Sequence, residues 1–520
     1  MSGRRATLAA LVALAAACGP PPPEVGTAAA PSRAVAGTGL RDDRVVIGSG
    51  AVVRAVGVSR RFVYAATNDV VAVYDRDRRA WLPAFTRDGG FDPAQVRSIA
   101  TDPDDDSAWL FTAVGAWTLQ PLTAFVMRAP AGPAPSRLRV GSLDAVYREF
   151  PAVESFGRLL TRDDATLLPW PAVSGARAPD RAEVWLGTAG GGLYQVDPLF
   201  NRAERRPFGL ATSGAGAIAR DADRIWVAPA ARSGDARAAI TVLSRDLQDV
   251  RWIDDAPRRN FGFARATALA VRSGTAWMGT TVGLFRLSGA GASVLTPLSG
   301  LPSELVLSLL ARRDGLWVGT DRGAVFVADD AAASATTSAS APRGRAPAVP
   351  VPSALDQLPV RAMIATGDTI WFGTTRGLAL RTPNAETLTA PASEDASMRI
   401  RLRLEIRALA ASDSMLFVAL DNTVLAFNRK TGVWSEPWMG AAWLSVGGIE
   451  SLVADGTSVW AGGPFGVLAL NRRSGGSRAL HAPSDLPDAV TGLVLDGPWA
   501  WVATLGGVVR IRRAADGLVP

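Results

Sequence analysis

The side chains that most often carry out chemistry in proteins are scarce in this chain. It has one histidine, His481, and one cysteine, Cys18. The usual zinc, copper and haem ligand sets need more of these residues than the chain contains. A Ser–His–Asp arrangement could use only His481, which the sequence places in a connecting loop, where a surface histidine is the ordinary expectation. We therefore expect no catalytic residue, no metal and no cofactor.

Acidic residues cluster in one short segment, Thr101-Asp-Pro-Asp-Asp-Asp-Ser107. Carboxylate oxygens suit calcium, but the segment falls between two predicted strands, where turns of this chain commonly carry Asp and Gly. We expect a solvated turn, with weak calcium binding as the alternative. Paired carboxylates for glycosidic cleavage stay open, because distance along the sequence does not tell which acidic residues meet in the fold.

The chain is basic, with 55 Lys and Arg against 48 Asp and Glu and a formal charge of +7. Almost every cation is an arginine, since Lys430 is the one lysine. Arginine and aspartate alternate, as in Asp75-Arg-Asp-Arg-Arg79, and do not gather into a basic stripe. We therefore expect no nucleic-acid partner.

A tryptophan–glycine motif recurs along the chain and indicates the elements that must position any site. It reads Trp317-Val-Gly-Thr320, with variants that start at Trp185, Trp277 and Trp371 and weaker ones at Trp460 and Trp501. Ten such strand centres can be placed, at Tyr64, Trp109, Trp185, Trp226, Trp277, Trp317, Trp371, Phe417, Trp460 and Trp501. Self-similarity at roughly this period marks a repeat architecture whose units bury their apolar faces against one another.

Residues 301–329 serve as the type unit. They predict strands at 306–310, 316–320 and 323–327, with a type I turn at Asp321-Arg322-Gly323 closed by the glycine. Gly319 inside a strand indicates close approach by a neighbouring backbone. The strands read as near-continuous apolar runs, which are typical of sheets covered on both faces, so we expect each tryptophan to pack between adjacent sheets.

Three or four short strands per unit predict an all-β fold, a β-propeller of about ten blades of four short antiparallel strands. The last unit lacks an outer strand, whereas Arg44-Val-Val-Ile-Gly48 precedes the first unit as a spare one. We expect this N-terminal strand to close the ring and remove an exposed edge. Two smaller propellers are the alternative.

Two insertions interrupt the repeat. One, at about 130–175, contains apolar residues at helical spacing over 143–160 and is predicted to be partly helical. The other, at about 331–355, is rich in Ala, Ser, Thr and Pro and is predicted to be a disordered loop within a blade.

The segment 300–323, Gly300-Leu-Pro-Ser-Glu-Leu-Val306 through Trp317-Val-Gly-Thr-Asp-Arg-Gly323, resembles the two-component regulator propeller repeat. Residues 356–378 and 484–507 resemble it less completely, and 94–109 only in the first half. The resemblance implies a sensor-type β-propeller, since such repeats form sugar- or polymer-sensing periplasmic domains of hybrid sensor kinases. No kinase or membrane-spanning segment follows the repeats here, which departs from that family.

A weaker likeness involves the outer hairpins. Residues 425–434 and 468–475 resemble quinoprotein-like propeller repeats, which also occur in lipoproteins that assist outer-membrane assembly. Asn428-Arg-Lys-Thr-Gly432 is also simply good turn chemistry.

The N-terminus predicts export and lipid attachment. Arg4 and Arg5 precede twelve residues, 6–17, that are too few to span a bilayer but suit a signal peptide. Ala15-Ala-Ala-Cys18 resembles a bacterial lipobox, with Ala15 where Leu is usual; ordinary secretion with a chance cysteine is the alternative. We predict a lipoprotein signal peptide at 1–17, lipid attachment at Cys18, a Pro/Ala-rich tether at 18–40 and the β-propeller at 41–520. Gly19, which is not Asp, implies by resemblance the periplasmic side of the outer membrane or the cell surface.

Together these features predict a lipid-anchored envelope β-propeller that binds a ligand or protein partner, sensor-like and non-enzymatic. The first alternative is a scaffold for outer-membrane protein or envelope assembly, and the second is a polysaccharide-active enzyme. Expected partners are an unknown glycan, a small ligand or an envelope protein, with membrane contact only through the N-terminal lipid. No ligand-binding residue can be assigned at this stage.

Overall fold

The computed structural model describes residues 37–38, 43–85, 91–123, 125–130, 132–154, 170–200, 202–230, 239–253, 265–288, 291–328, 355–383, 392–438 and 443–518. Within them, almost all regular structure is short β-strand in antiparallel sheets. Ten sheets can be distinguished, S1 to S10 in chain order. The first strand of each is its innermost strand, except in S2, where the short strand Arg139–Val140 pairs beyond the first strand.

Two short strands come first, β1 (Gly37–Thr38) and β2 (Arg44–Ile47). Three sheets then follow: S1 with β3 (Ala55–Val58), β4 (Phe62–Ala66), β5 (Val71–Asp75) and β6 (Ala80–Phe85); S2 with β7 (Ser98–Thr101), β8 (Ala108–Thr112), β9 (Gly115–Gln120), β10 (Phe125–Arg128) and β11 (Arg139–Val140); and S3 with β12 (Ala172–Arg177), β13 (Val184–Thr188), β14 (Leu193–Asp197) and β15 (Arg202–Arg205).

The next two sheets are S4 with β16 (Ala215–Asp221), β17 (Arg224–Pro229), β18 (Ile240–Ser244) and β19 (Val250–Ile253), and S5 with β20 (Ala266–Arg272), β21 (Thr275–Thr280), β22 (Gly283–Ser288) and β23 (Gly291–Leu295). Two three-stranded sheets follow: S6 with β24 (Val306–Arg312), β25 (Gly315–Thr320) and β26 (Gly323–Ala328), and S7 with β27 (Val360–Thr366), β28 (Thr369–Thr374) and β29 (Gly377–Arg381). The last three sheets are S8 with β30 (Ala408–Ala411), β31 (Met415–Ala419), β32 (Val424–Asn428) and β33 (Val433–Trp438); S9 with β34 (Ser451–Ala454), β35 (Ser458–Gly463), β36 (Gly466–Asn471) and β37 (Ser477–His481); and S10 with β38 (Val490–Asp496), β39 (Trp499–Thr504) and β40 (Gly507–Arg512). Two α-helices, α1 (Leu143–Glu149) and α2 (Ala396–Arg401), and 3-10 turns at Pro93–Gln95, Pro297–Ser299 and Trp443–Val446 lie in the connections.

The recurring motif forms the second strand of each unit and the turn after it. In S6 the Thr320 hydroxyl donates to the Gly323 carbonyl at 2.9 Å and accepts from the Arg322 amide at 3.1 Å. Gly323 has φ of 120°, a conformation that side-chain-bearing residues rarely adopt. The same hydroxyl-to-carbonyl bond closes the equivalent turns after Thr280, Thr374 and Thr504. The threonine and glycine of the repeat therefore form the turn through their own hydrogen bonds.

The motif glycine and tryptophan pack as predicted. A Cβ on Gly319 would lie 2.4 Å from the Ser308 hydroxyl and 2.8 Å from the carbonyl oxygen of Val360, which belongs to the next sheet. The Trp317 ring meets Phe372 of that sheet at 5.5 Å between centroids. Nine of the ten predicted strand centres are buried, whereas Trp109 is half-buried. Indole rings and bare backbone thus join neighbouring sheets.

Seven sheets, S4 to S10, form a ring. Their innermost strands pack in chain order from β16 through β20, β24, β27, β30 and β34 to β38, and β38 packs back against β16. At this last contact the Thr491 hydroxyl donates to the Ala215 carbonyl at 2.7 Å, and Arg220 pairs with Asp496 at 2.9 Å. The all-β propeller class is therefore confirmed.

The other three sheets stand beside the ring as an arc. The innermost strand of S1, β3, packs between β7 of S2 and β12 of S3. The structure thus differs from a single ring of ten blades and also from two closed propellers. The reason is that S4 meets S10, which leaves no place in the ring for S1 to S3.

The strand β2 completes S10, in the position predicted for the N-terminal strand. It runs antiparallel to β40, with Ile47 opposite Val508 and Arg44 opposite Ile511. On its other side β2 pairs with β1, which also pairs in parallel with β6 of S1. Strand pairing therefore continues from the ring into the arc, and one apolar core that includes Trp81 and Phe208 spans the junction.

The first insertion covers a face of the arc. The helix α1 and residues 151–154, also helical, lie within the segment predicted to be helical, and α1 packs against β12. Val146 and Val153 join Val184, Leu186 and other apolar residues of S3 in one core. Because S3 meets S1 on its other face, this helical segment buries the face that a further blade would otherwise cover.

Several predictions fall on residues outside the described ranges. These are the signal peptide at 1–17, Cys18 and most of the tether at 18–40, the later part of the helical segment, and nearly all of the predicted loop at 331–355. Residues 37–38, near the end of the predicted tether, form β1.

Candidate functional site

A cleft between S1 and S3 combines depth with a high density of arginine. We call it the arginine cleft; its volume is about 580 Å³, within the range of small-molecule sites. It is lined by Tyr74, Arg76, Arg79, Arg181, Ala182, Glu183, Gln195, Val196, Asp197, Leu199, Arg202, Glu204 and Arg206. Five guanidinium groups thus face three carboxylates.

The floor of the cleft is a buried charge network centred on Arg76, whose side chain is only 2% exposed. Its Nε donates to Glu183 at 3.0 Å, and its Nη1 donates to Asp180 at 2.9 Å and to two main-chain carbonyls. Glu183 also accepts the indole N–H of Trp185 at 2.6 Å. Arg76 follows β5 in S1 and both acids belong to S3, so the network joins the two sheets.

The walls of the cleft carry further arginines, of which some are paired with an acidic side chain and others are not. Arg206 bonds Glu204 at 2.7 Å and the Gln195 amide oxygen at 2.8 Å. Arg79 and Arg202, by contrast, form no ion pair with any residue that the structure describes. The two guanidiniums extend from opposite walls, Arg79 from S1 and Arg202 from S3.

Tyr74 adds a neutral hydroxyl to the cleft. Burial raises the pKa of this phenol, and that effect outweighs the opposing influence of Arg206. The hydroxyl therefore stays protonated at neutral pH and can donate a hydrogen bond. The cleft can consequently bind oxyanions through both charged and neutral donors.

A second candidate surface is one face of the ring. In each ring sheet the turn between the second and third strands and the connection into the first strand lie at the same end, and together these ends form what we call the loop face. Seven large apolar side chains of the described ring are exposed, and six lie on this face: Val282, Leu298, Ile400, Leu404, Leu444 and Phe465. The seventh, Val433, lies on the outer strand β33.

Charged residues on the same face lie beside the innermost strands. Glu405 contacts Arg361 at 2.5 Å, and Arg407 lies between Glu405 and Asp421, 3.4 Å from the latter. All four side chains are at least partly exposed. The loop face therefore combines exposed apolar groups with a chain of alternating charges, a combination typical of protein interfaces.

The chemically suggestive residues of the sequence lie in the acidic turn and at the end of a strand. In the acidic turn the Asp102 carboxylate is buried and accepts two bonds from the Arg137 side chain, at 2.9 and 3.0 Å. Within the described residues no group of three or more His, Cys, Asp or Glu could hold a metal ion. His481 is exposed at the end of β37, not in a loop, and its amide donates to Asp485 at 3.1 Å.

The four buried carboxylates of the described chain are each paired with arginine. Asp75 binds Arg61, Asp102 binds Arg137, Glu183 binds Arg76, and Asp496 binds both Arg220 and Arg245. Each of these four carboxylates links its segment of the fold to another through an ion pair.

Sequence reasoning did not find the arginine cleft. Its only visible signal was the run Asp75-Arg-Asp-Arg-Arg79, whose alternating charges indicate a solvated segment. The partner Glu183 is 107 residues away from Arg76. Only the packing of S1 on S3 brings these charges together.

Comparison with known proteins identifies structural similarity without a family. No family model and no curated protein matches the chain. Among solved structures, the extracellular domain of a putative one component system from B. thetaiotaomicron is 14% identical, with a TM-score of 0.37, and the match covers 92% of this chain and 70% of that one. Virginiamycin B lyase from Staphylococcus aureus is 12% identical, with a TM-score of 0.43, over 58% of this chain and 96% of that one. The WD40 β-propeller domain of Doa1 is 11% identical, with a TM-score of 0.38, over 57% and 92%.

With TM-scores below 0.5, these likenesses carry no argument, and the propeller fold rests on the strand pairing described above. Among the described residues, no helix is long and apolar enough to cross a membrane.

Proposed function

We propose that this chain is a lipid-anchored β-propeller of the bacterial envelope that binds a protein partner or ligand through the loop face of its ring, in a sensor-like and non-enzymatic role. The observation that carries the proposal is the placement on that face of six of the seven exposed large apolar side chains in the described part of the ring. Exposed apolar side chains that gather on one face of a protein can serve as contacts for a partner.

The apolar groups on the loop face are held in position. Phe465 is 60% exposed, yet its amide donates to the Val446 carbonyl at 2.9 Å. A Cβ on Gly447 would lie 2.6 Å from the Phe465 ring, so the ring rests on bare backbone beside the exposed Leu444. A side chain fixed in this way loses little conformational entropy on binding, which favours a role as an anchor.

Site-specific crosslinking tests the role of this face. A photoreactive amino acid at Phe465 is expected to give a discrete adduct in cell envelopes, because the side chain would sit at the centre of the interface. The double substitution L404S/L444S should reduce that adduct about tenfold or more, as expected for loss of interface anchors. The measurement is the yield of the adduct on denaturing gels.

Val433 supplies the control, since it is equally exposed, at 59%, but lies outside the loop face. The same photoreactive group at Val433 should give no discrete adduct. Equal yields at both positions, or no adduct at Phe465, would reject binding through the loop face.

Lipid anchoring rests on Cys18 and is tested separately. The variant C18A is expected to lose incorporation of labelled palmitate and to move from the membrane fraction to the soluble fraction, because no thiol remains for acylation. The variant G19D is the control: it should keep the label but shift from the outer to the inner membrane fraction. Palmitate labelling of C18A would show that the anchor lies elsewhere.

A scaffold role in outer-membrane protein or envelope assembly is the second candidate, and the edge of S2 favours it. Strand β10 ends its sheet among the described strands, and its Phe125 and Met127 are 54% and 50% exposed. An edge with exposed apolar side chains can accept a partner strand. Adducts from Met127 to an outer-membrane protein, without adducts from Phe465, would favour the scaffold.

A polysaccharide-active enzyme is our third candidate. The arginine pairing of all four buried carboxylates argues for the non-enzymatic role. Turnover of an envelope polysaccharide by the purified protein, abolished by a single Asp or Glu substitution, would reverse this order.

A further inference from the structure

We propose that the arginine cleft is a binding site for a small oxyanionic solute that carries at least two negative charges, such as a phosphate or a dicarboxylate. This site lies in the arc, away from the loop face, and the inference does not depend on the proposed function. It rests on three features of the cleft: its charge, an unused buried donor and its position between two sheets.

The charge of the cleft is unbalanced in the direction that attracts anions. Its lining contains five arginines and three carboxylates, and Asp180, which pairs with Arg76 in the floor, is a fourth acid. Glu183 is already engaged by Arg76, and Glu204 by Arg206. Arg79 and Arg202 remain without an ion pair among the described residues, one on each wall. Both side chains are exposed, so their guanidiniums can pair with two negative charges of a ligand in the cleft.

A buried donor supports the same conclusion. The Nη2 atom of Arg76 is buried and has no hydrogen-bond partner, although Nε and Nη1 of the same group bind two acids and two carbonyls. A buried N–H of a charged group without an acceptor is costly, so a ligand oxygen that reaches this atom would be favoured. The Tyr74 hydroxyl is a further hydrogen-bond donor in the lining of the cleft.

The shape of the cleft restricts the ligand to a small molecule. Its volume of about 580 Å³ suits a metabolite, and its sides are β5 and the turn after it in S1 and β14 and β15 in S3. A dianion that bridges Arg79 and Arg202 would link the two sheets at the point where the Arg76 network already joins them. Anions that present two acceptor oxygens side by side match the forked geometry of guanidinium donors, which favours carboxylate and phosphate groups over halides.

Isothermal titration calorimetry of the full-length mature protein in detergent tests this site. Inorganic phosphate and succinate are the two probes, with acetate and glycerol as singly charged and neutral comparisons. Saturable binding of phosphate or succinate, without binding of glycerol and with much weaker binding of acetate, is expected. Which of the two probes binds identifies the oxyanion chemistry of the site. No saturable binding of either probe would overturn the proposal.

Variants that are expected to change the affinity in opposite directions distinguish an effect on binding from an effect on folding. R79Q and R202Q should each weaken binding about tenfold or more, because each removes charge-assisted hydrogen bonds. E204Q should tighten binding, because it releases Arg206 from its carboxylate partner. R322Q, an exposed arginine on the ring, should leave binding unchanged. Equal affinity in wild type, R79Q and R202Q, or weaker binding in E204Q, would contradict the assignment.

Discussion

The variant I47D is expected to lower the free energy of unfolding by about 3–5 kcal/mol, because it places a carboxylate in a fully buried apolar position. Ile47 is 0% exposed and lies opposite Val508, in the strand that completes the last sheet of the ring. Without β2, strand β40 would be an open edge of its sheet. The strand pairing that connects the ring to S1 through β1 would also be lost. Urea unfolding followed by tryptophan fluorescence measures the effect, since indole rings lie between most of the sheets.

Two controls make this result specific to the seam. I47V keeps an apolar side chain there and should cost only about 1 kcal/mol. V433D introduces the same charge on the outer strand of another ring sheet, where the side chain is 59% exposed, and should change stability by about 0.5 kcal/mol or less. If I47D unfolds at the same urea concentration as V433D, β2 does not hold the ring together.

The local unit of this fold could be predicted because its signals are short-range. Thr320, Gly323 and Trp317 lie within seven residues, and each does what its type implies: the hydroxyl closes the turn, the glycine takes positive φ, and the indole is buried. Gly319 marked a close contact with the next sheet for the same reason. Ten strand centres followed from repetition of this pattern.

The grouping of the sheets could not be predicted, because it depends on which faces meet. The local sequence of β16 does not indicate whether this strand packs against the preceding sheet S3 or against β38. The first residues of β16 and β38, Ala215 and Val490, are 275 residues apart in the sequence. The helical segment at 143–154 could be predicted from its apolar spacing, but its position on the outer face of the arc could not. Such long-range choices follow from the complementarity of whole surfaces.

The candidate sites followed the same division. The loop face agrees with the general expectation that loops at one end of a propeller bind partners, but its apolar residues carry no motif of their own. The arginine cleft depends on the meeting of segments near positions 75, 183 and 204, so its charge balance appears only after S1 and S3 pack. Interspersed Arg and Asp in the sequence conceal which charges are paired and which are not.

The variant R76M is expected to destabilise the protein by about 3–5 kcal/mol, because it leaves buried acid without its partner. The Glu183 side chain is only 10% exposed and accepts from Arg76, and Asp180 accepts from the same guanidinium. R78M is the control: Arg78 is 40% exposed and its contact with Asp75 is 3.9 Å, so its loss should cost about 1 kcal/mol or less. Urea unfolding of both variants measures the difference.

Removing the orphaned charge as well should recover stability. In R76M/E183Q the amide oxygen can still accept the Trp185 indole N–H, and no unpaired charge is buried at position 183. We expect the double variant to be about 1–3 kcal/mol more stable than R76M. If it is as unstable as R76M, lost packing of the arginine stem and not charge pairing explains the effect.

The network also predicts how acid affects stability. Burial raises the pKa of Asp180, but the hydrogen bond and charge of Arg76 outweigh burial, so the pKa lies below its ordinary value of about 4. A carboxyl with a lowered pKa in the folded state contributes stability above its unfolded pKa and loses that contribution as pH falls through the folded value. Wild-type stability should therefore fall on acidification below about pH 4, and R76M should lose less over that range. Unfolding curves from pH 7 to pH 3 test this, since identical pH profiles for the two proteins would show that Arg76 does not hold Asp180 in its charged form.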